Sequence, residues 1–412
     1  MKKFVCGFFL LAFVSTWVAT CAEAIQPKVN KEYDKAYMII MQPPTIANFF
    51  TTALPTLYGY KGEFNYKKAR KEAEQIINTL RLKGVNVITI EEILLKGRDP
   101  QKLKDFISEN LVITKDKDLN LDLDTIKKEI IEANDLDTLL DLLLNGFSAN
   151  LSKDEKSTSG IGGKISFEPL VDLFYMRDQM ITTDKGIVLC NFESKQRKNE
   201  VALIKLALDN IGISPIYEVT DPGRLEGGDF FMNGDSIFIG IGPRTNEAGA
   251  KQLMDNNTFN AKTVVLVKDR LLNQAQMHLD TYFNMLDSKL VVLAEDRMSK
   301  NAPKTASVVD VYELEGGKYK KVEEDIDFYE YLNNNGFIII PVSEEDSAQL
   351  ATNFITIAPR TIVGPSGVSE KYKQALKKHD VSATWVDMKN IKKGYGAARC
   401  ITRPIIRQAP RQ

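Results

Sequence analysis

One cysteine in a glycine-rich turn near the C-terminal end is the side chain best suited to nucleophilic chemistry. The segment "KKGYGAARCITRPIIR" (392–407) contains Cys400. The other cysteine beyond the N-terminal segment, Cys190, ends the apolar run "KGIVLC", which is typical of a buried strand with an inert thiol. Cys400 does not lie in such a run, which favours a reactive thiol. A disulfide between Cys190 and Cys400 is the alternative if the protein is exported.

A thiol nucleophile generally needs a neighbouring base, and the sequence contains two histidines. His379 follows lysines at the polar end of a helical segment, so it is predicted to lie at the surface. His278 lies in "AQMHLDTYFNMLD", followed closely by Asp280. An isolated histidine among apolar residues usually packs in a core. If Cys400 is a nucleophile, His278 is the best available proton carrier.

Two further motifs place carboxylates beside glycines or an apolar run. "RLEGGDFF" contains Glu226 and Asp229 around a Gly-Gly pair, where the backbone could approach a ligand closely. "FYMRDQMI" places Arg177 and Asp178 at the start of a predicted strand. A plain turn and a surface ion pair are the alternative interpretations. Neither motif alone identifies a site.

The sequence contains no motif for binding a metal ion or a nucleotide cofactor, and no charge pattern that would favour nucleic acid. There is no Cys-x-x-Cys pair and no G-x-x-x-x-G-K-[ST] motif, and "GIGGK" is too polar to bind a dinucleotide. The formal net charge of -1 gives no reason to expect nucleic acid or an anionic membrane as a partner. We therefore expect a small-molecule substrate, no cofactor and no metal.

The N-terminal segment has the pattern of a secretory signal peptide. "MKK" is followed by the apolar stretch "FVCGFFLLAFVSTWVAT" and by Ala22-Glu23-Ala24, an A-x-A cleavage pattern. We predict a signal peptide over 1–24 and a periplasmic or secreted protein without stable membrane insertion. An uncleaved anchor, or lipid attachment at Cys21, is the alternative.

The elements that would position these residues alternate between strands and helices. "KAYMIIMQ", "YKKARKEAEQIINTLRLKG" and "VNVITI" predict strand, helix and strand. Amphipathic helical segments without a convincing strand then predict an inserted helical subdomain with a polar return linker over 93–162. Strands and helices resume afterwards, so the catalytic α/β domain is predicted over 25–92 and 163–412. A repeated, propeller-like fold and a doubly wound sheet both fit this pattern.

Five motifs in this order resemble the signatures of the arginine deiminase family. They are "FYMRD", "LEGGD", "IGIGPRT", "MHLDTYFNMLD" and "GYGAARC". The resemblance extends over nearly all of the chain beyond 1–24, including the helical insertion. It implies an α/β fold built as a five-bladed pseudo-symmetric propeller, and an enzyme that hydrolyses L-arginine to L-citrulline and ammonia.

The resemblance also implies how the candidate residues act. Cys400 would attack the guanidinium carbon and form a covalent thiouronium intermediate, which water then cleaves. His278 would protonate the leaving ammonia and afterwards activate the water. Asp178 and Asp280 would bind the guanidinium nitrogens, because carboxylates match its fork of donors. Glu226 would orient His278 and favour its protonated form.

The resemblance implies that a second set of residues recognises the substrate. At some of these positions this sequence departs from the family. Three departures bear on the substrate: Asp172 replaces a usual asparagine, Tyr395 replaces a usual arginine, and "MQPP" replaces an arginine-proline turn. Arg197 and Arg244 stand where the family binds the α-carboxylate of arginine. The full predicted substrate-binding set is Arg197, Arg244, Asp172, Tyr175, Asp229, Gly394 and Tyr395.

The departures leave other functions open. The same chemistry could act on an agmatine-like or peptidyl guanidine, or transfer the amidino group to an amine. An exported guanidine-binding protein is the non-enzyme alternative, and a homo-oligomer is compatible with all of these.

Nearby carboxylates should raise the pKa of Cys400 in the empty site, and a bound guanidinium should lower it. The substrate would then help to ionise the thiol that attacks it.

Overall fold

The computed structural model describes residues 25–299, 301 and 306–408. The predicted signal peptide, 1–24, lies outside the described residues. The strands are β1 (Ala36–Met41), β2 (Asn86–Thr89), β3 (Val112–Lys115), β4 (Phe147–Lys153), β5 (Ile161–Phe167), β6 (Met180–Thr182), β7 (Ile187–Leu189), β8 (Tyr217–Glu218), β9 (Phe230–Asn233), β10 (Ser236–Ile241), β11 (Thr263–Asp269), β12 (Phe283–Met285), β13 (Leu290–Ala294), β14 (Ser307–Glu315), β15 (Lys318–Asp327), β16 (Ile338–Val342), β17 (Ile355–Ala358), β18 (Thr361–Pro365), β19 (Ser382–Val386) and β20 (Thr402–Arg407).

Helices alternate with these strands along most of the chain. The α-helices are α1 (Asn48–Ala53), α2 (Tyr66–Leu82), α3 (Ile90–Lys96), α4 (Pro100–Asn110), α5 (Leu123–Ala133), α6 (Leu136–Leu144), α7 (Lys195–Asn210), α8 (Glu247–Asp255), α9 (Phe328–Asn334), α10 (Glu344–Ala348) and α11 (Glu370–Lys378). Short 3-10 turns lie at Pro55–Tyr58, Gly227–Asp229, Gln274–Gln276, Leu279–Thr281, Glu295–Arg297 and Ile391–Gly394. Within the described residues, none of the helices is long and apolar enough to cross a membrane.

Five three-strand units share one topology. In each, two strands pair antiparallel, and a third strand joins parallel to the second after a connection that contains a helix. The units are β20-β1-β2, β6-β7-β8, β9-β10-β11, β12-β13-β16 and β17-β18-β19. The predicted α/β class is therefore confirmed. The closed arrangement of five propeller blades stays a prediction.

Several predicted elements are confirmed, because their sequence signals are local. The helical pattern that begins at Tyr66 forms α2, whose first turn is capped by Asn65 accepting from the backbone N–H of Lys68. The predicted hairpin at Asn233-Gly234 joins β9 and β10. Gly234 adopts a φ of 68°, a left-handed conformation that glycine reaches without steric cost.

The predicted absence of strands in the insertion was wrong. β3, β4 and β5 form a separate three-strand sheet, in which Phe147 pairs with Phe167. β5 alternates Ile165 and Phe167 with polar residues, but its two adjacent glycines weaken the strand signal, and most of the strand is exposed. Part of the segment predicted as a polar return linker is therefore the β4–β5 hairpin. The boundaries 93 and 162 stay predictions.

The insertion packs against the helix that carries a predicted substrate-binding residue. Leu103 on α4 and Leu139 on α6 are fully buried in the same apolar cluster as Ile204 and Leu208 on α7. α7 also contains Arg197. Burial of these side chains stabilises the position of α7, because each fully buried leucine or isoleucine contributes about 1.5–3 kcal/mol.

A buried glutamate joins segments that are far apart in the sequence. Glu32 Oε1 lies 3.1 Å from Arg399 Nε, 3.3 Å from Arg177 Nη1 and 3.8 Å from Arg407 Nη2. Burial by itself raises the pKa of Glu32, but Arg399, Arg177 and Arg407 lower it to about 2. The arginines therefore favour a charged carboxylate in the interior.

We predict that Glu32→Gln destabilises the fold by about 3–5 kcal/mol, because it leaves buried arginines without their counter-charge. The folded-state pKa of Glu32 is depressed, so its contribution is fully present above pH 4.5 and is lost as the pH falls towards about 2. Urea unfolding at neutral and acidic pH measures both effects, with the exposed Glu63→Gln as control. Equal stability of the two variants at neutral pH would contradict the prediction.

Candidate active site

A cavity of about 210 Å³ brings together most of the candidate residues. Its walls come from the loop before α2, the segment before β6, the start of α7 and the turn before β20. The lining residues are Leu57, Tyr58, Gly59, Tyr60, Asp172, Tyr175, Asp178, Ser194, Gln196, Arg197, Glu226, Arg244, Gln274, Met277, His278, Gly394, Tyr395, Gly396 and Cys400. Of the twelve predicted site residues, only Asp229 and Asp280 do not line this cavity.

Asn353 holds the Cys400 turn in place. Its side-chain oxygen accepts from the backbone N–H groups of Ala397 at 3.0 Å and Cys400 at 3.2 Å. Its Nδ2 donates to Cys400 Sγ at 3.1 Å. One buried amide thus fixes both the backbone and the sulfur. A donor to the sulfur stabilises a thiolate more than a thiol.

The glycine at position 396 allows the turn to pass beside an aromatic ring. A Cβ at Gly396 would lie 2.5 Å from Tyr175 Cε1 and 2.9 Å from Cys400 Cβ, closer than real Cβ contacts. The Tyr175 hydroxyl donates to the carbonyl of Ile391 at 2.7 Å, so the ring is fixed. This close approach is a physical reason for the glycine-rich sequence before Cys400.

His278 is buried against two carboxylates. Its Nε2 lies 2.8 Å from Glu226 Oε2, and its Nδ1 lies 3.9 Å from Asp178 Oδ1. Burial favours a neutral ring, but Asp178, Glu226 and Asp229 outweigh that effect and raise the pKa of His278 to about 10. His278 is therefore protonated at neutral pH.

The Gly-Gly pair of "LEGGD" is required by this packing. A Cβ at Gly228 would lie 2.7 Å from His278 Nδ1. Asp229 lies outside the cavity lining, and both of its oxygens are engaged. Its Oδ1 accepts from the backbone N–H of Leu279 at 2.8 Å, and its Oδ2 accepts from the Thr245 hydroxyl at 2.6 Å. Asp229 therefore positions the backbone next to His278, and its predicted contact with substrate stays a prediction.

The carboxylate of Asp280 lies close to the Cys400 thiol but outside the cavity lining, and its charge is paired with that of Arg399. It is fully buried, its Oδ2 accepts from Arg399 Nη1 at 2.8 Å, and the Cys400 Sγ lies 3.8 and 4.0 Å from its two oxygens. Burial and the charges of Asp280 and Asp178 raise the pKa of Cys400 well above its ordinary value, although the hydrogen bond from Asn353 opposes this shift. The thiol is thus protonated in the empty cavity.

Arg197 contacts three acidic side chains. Its Nη1 lies 3.2 Å from Asp178 Oδ2 and 3.6 Å from Glu226 Oε2, and its Nε lies 3.1 Å from Glu200 Oε2. Its guanidinium also stacks on Phe192 at 4.2 Å. Asp178 therefore already accepts from a guanidinium group in this wall of the cavity.

The remaining predicted residues lie around the cavity. Arg244 lines it, and its buried Nε has no hydrogen-bond partner within the described part of the chain. Tyr395 adopts a φ of 65°, and Lys61 Nζ lies 4.3 Å from the centre of its ring. Gly394 ends the 3-10 turn whose first residue, Ile391, accepts from the Tyr175 hydroxyl. Asp172 accepts from the Tyr60 hydroxyl at 2.8 Å.

Cys190 does not pair with Cys400. Both thiols are free and buried, and Cys190 packs in a separate apolar cluster. The disulfide alternative therefore has no support in the structure. Burial also raises the pKa of Cys190, which agrees with the predicted inert thiol.

One group of side chains is close enough to share a cation. Ligand atoms of Asp178, Glu226 and His278 lie within 4.8 Å of one another. A histidine must be neutral to bind a metal, and the raised pKa of His278 opposes this. The absence of a metal cofactor stays a prediction.

Sequence reasoning missed four residues that shape the cavity: Asn353, Tyr60, Glu200 and Arg399. Asn353 and Tyr60 lie in segments without a recognisable motif. Glu200 follows Arg197 by one helical turn, a spacing that could have indicated an ion pair. Arg399 directly precedes Cys400 in the quoted turn, but its link to Asp280 depends on a contact across 119 positions.

Comparison with protein families gives one consistent match. The family model for arginine deiminase matches residues 60–407. The arginine deiminase of Halobacterium salinarum is 28% identical over 58% of this chain, and the alignment covers 65% of that relative, just under two thirds of its length. That of Metamycoplasma arthritidis is 21% identical over 82% of this chain and 86% of its own.

Solved structures share the fold at low sequence identity. The N-terminal domain of ArgZ, an arginine dihydrolase from cyanobacteria, has a TM-score of 0.56 and 14% identity, with 90% of this chain and 98% of that chain covered. DDAH from Pseudomonas aeruginosa, as a mutant complexed with citrulline, has a TM-score of 0.53 and 15% identity, with coverages of 90% and 99%.

The charges around Cys400 predict a thiol whose ionisation depends on a bound cation. We expect the pH midpoint of Cys400 alkylation to fall by about one to three pH units when a guanidinium compound that is not turned over is bound. Shielding by the ligand changes the rate of alkylation but not this midpoint. Cys400→Ala gives the background from Cys190. An unchanged midpoint would contradict this prediction.

Proposed function

Because the chain belongs to the arginine deiminase family, we propose that it hydrolyses the guanidinium group of L-arginine to give L-citrulline and ammonia. One observation carries this proposal: a buried thiol and a protonated, carboxylate-bound histidine line the same small cavity. The arginine deiminase activity for which its relatives are named is consistent with this thiol and this histidine.

The negative charge of the cavity favours a cationic substrate. Asp178 and Glu226 line it, Asp172 lies in the same wall, and Asp280 lies behind the thiol. Arg197 and His278 offset part of this charge. A planar guanidinium can donate to Asp178 in the way that Arg197 Nη1 does at 3.2 Å. A substrate guanidinium would share these acceptors, or take them when Arg197 turns away.

The first chemical step needs a thiolate and an acid. Bound guanidinium favours loss of the Cys400 proton to solvent, and the thiolate attacks the guanidinium carbon. His278 is protonated, so it can donate a proton to the departing nitrogen, which leaves as ammonia. The carbon–sulfur bond that forms and the carbon–nitrogen bond that breaks leave a thiouronium on Cys400.

The second step uses the same two residues in reverse. His278, now neutral, accepts a proton from water as the water attacks the thiouronium carbon. Cleavage of the carbon–sulfur bond releases the urea group of citrulline, and the remaining hydroxyl proton passes to the departing sulfur, which restores the Cys400 thiol. Glu226, whose Oε2 lies 2.8 Å from His278 Nε2, stabilises the imidazolium that forms again.

We predict that Cys400→Ala lowers citrulline formation by about 10⁴-fold or more, since no other group can form the covalent intermediate. The matched variant Cys190→Ala should retain activity, because Cys190 packs in an apolar cluster away from the cavity lining. Citrulline and ammonia are measured with the full chain and L-arginine under reducing conditions. Substantial citrulline formation by Cys400→Ala would refute the proposed nucleophile.

Export is a separate proposal, supported by the apolar stretch and the A-x-A pattern before Ile25. We expect the protein from its native cells to lie outside the cytosol and to begin at Ile25. Cell fractionation followed by mass spectrometry of the N-terminal peptide measures both properties. Recovery from the cytosol with 1–24 intact would contradict the proposal.

A further inference from the structure

One edge of the sheet in the insertion is open to solvent. β5 lies at the end of the strand order β3-β4-β5, and within the described residues it pairs only with β4. Residues 163–167 are exposed, with Ile165 at 60% and Phe167 at 45%. An open edge presents N–H and C=O groups that can pair with a strand from another chain. The residues along this edge therefore decide whether it is a docking surface.

The pairing with β4 determines which backbone groups of β5 face outwards. The N–H of Glu168 donates to the carbonyl of Gly146 at 3.0 Å, in the register that continues along both strands. In an antiparallel pair, every second residue bonds to the neighbouring strand, and the residues between them face away from it. Gly163, Ile165 and Phe167 are therefore the residues whose N–H and C=O groups point away from β4.

Ile161, at the start of β5, has the same outward orientation. Its N–H donates to Ser159 Oγ, and its carbonyl accepts from that hydroxyl, each at 3.3 Å. The outward groups at this end of the strand are thus already bonded. Those of Gly163, Ile165 and Phe167 remain for a further strand.

Another edge strand demonstrates how this chain protects an exposed edge elsewhere. β15 lies at one end of the five-stranded sheet, and seven of its ten residues are charged. Charged side chains on an edge oppose pairing with another chain. β5 has one charged residue, Lys164, among its seven. The edge of β5 lacks the protection that β15 has, which is typical of an edge that is covered in an assembly.

The outward residues of β5 are complementary to a second copy of the same strand. When two β5 strands pair antiparallel about a two-fold axis at Ile165, this residue faces its own counterpart, and Gly163 faces Phe167. Each facing pair exchanges backbone hydrogen bonds, because all three residues point outwards. Contact between identical patches on both subunits is the usual arrangement in symmetric dimers.

The side chains also fit this register. Gly163 has no side chain, so the Phe167 ring of the other copy can pack across its backbone, as aromatic residues do over glycines in sheets. Lys164 of one copy faces the neutral Ser166 of the other. Like charges are therefore not placed directly opposite each other, an arrangement that would destabilise the pair.

Apolar residues beside β5 enlarge the surface. The centre of the Phe167 ring lies 5.3 Å from that of Phe50 on α1 and 6.0 Å from that of Phe147. Phe49, also on α1, is 53% exposed. An exposed group of apolar side chains commonly marks an interaction site. A second copy at this edge would bury apolar surface in addition to pairing backbone groups.

We propose that the protein forms a two-fold homodimer in which the β5 strands of two copies pair antiparallel, with Ile165 at the axis. The sheet β3-β4-β5 of one copy then continues into that of the other. This inference concerns the insertion and does not depend on the proposed function.

Sedimentation equilibrium over a range of protein concentrations tests the proposal, with the protein expressed from its full-length sequence. We expect a monomer–dimer equilibrium with a dissociation constant of about 10 μM or below. Ile165→Lys places two lysines opposite each other at the axis and should raise this constant at least about 10-fold. Because Ile165 is exposed, the variant should fold like the parent, which circular dichroism measures. The matched control Val322→Lys changes a residue of β15 that is 45% exposed and should leave the constant unchanged.

A cysteine at the axis tests the register. In an antiparallel pair, the Cα atoms of a bonded facing pair lie about 5.5 Å apart, within the range that a disulfide spans. Mild oxidation of Ile165→Cys should therefore give a covalent dimer on a non-reducing gel. Val322→Cys should remain a monomer on the same gel, and the native cysteines, Cys190 and Cys400, are buried.

The proposal is overturned if the protein is a monomer at every concentration, a result that would leave the β5 edge to an extended peptide of another protein. It is also overturned if Ile165→Lys leaves the dimer unchanged, since the interface would then lie elsewhere. Failure of Ile165→Cys to form a covalent dimer under conditions where the protein is dimeric would refute the register.

Discussion

One histidine buried between two carboxylates is the charged centre of the cavity. Glu226 and Asp178 contact opposite nitrogens of His278 and keep it protonated. This pairing needs Gly228, because a side chain there would meet the imidazole ring. Burial, together with the charges of Asp280 and Asp178, raises the pKa of Cys400. The proposed acid, His278, and the proposed nucleophile, Cys400, therefore lie in one acidic cavity, in which a cationic ligand would be favoured.

A buried network of arginines and acids connects this cavity to the rest of the fold. Arg399 contacts Asp280 behind the thiol and Glu32 near the start of the described chain. Its guanidinium also stacks on Phe231 at 3.7 Å. Arg399 directly precedes Cys400, so this network also fixes the backbone beside the thiol. Stability and site geometry thus depend on the same interactions.

Local sequence signals predicted much of this structure, and non-local contacts account for most of what they missed. α2 and the β9–β10 hairpin follow from helical periodicity and an Asn-Gly turn. The strands of the insertion were missed because β5 is short, mostly exposed and interrupted by two adjacent glycines, which weaken the strand signal. Cys400, His278, Glu226 and Asp178 were placed together by five ordered motifs. Asn353 could not be found in this way, since its amide acts through the folded position of a turn 47 positions away.

The proposed mechanism requires that Cys400 forms a covalent thiouronium with the substrate carbon. Acid quenching during turnover of L-arginine, followed by mass spectrometry of the peptide that contains Cys400, would detect this intermediate. We expect an adduct on Cys400 that appears at early times and disappears as citrulline accumulates. Rapid citrulline formation with an unmodified Cys400 peptide at every time point, or with the adduct on another residue, would contradict it.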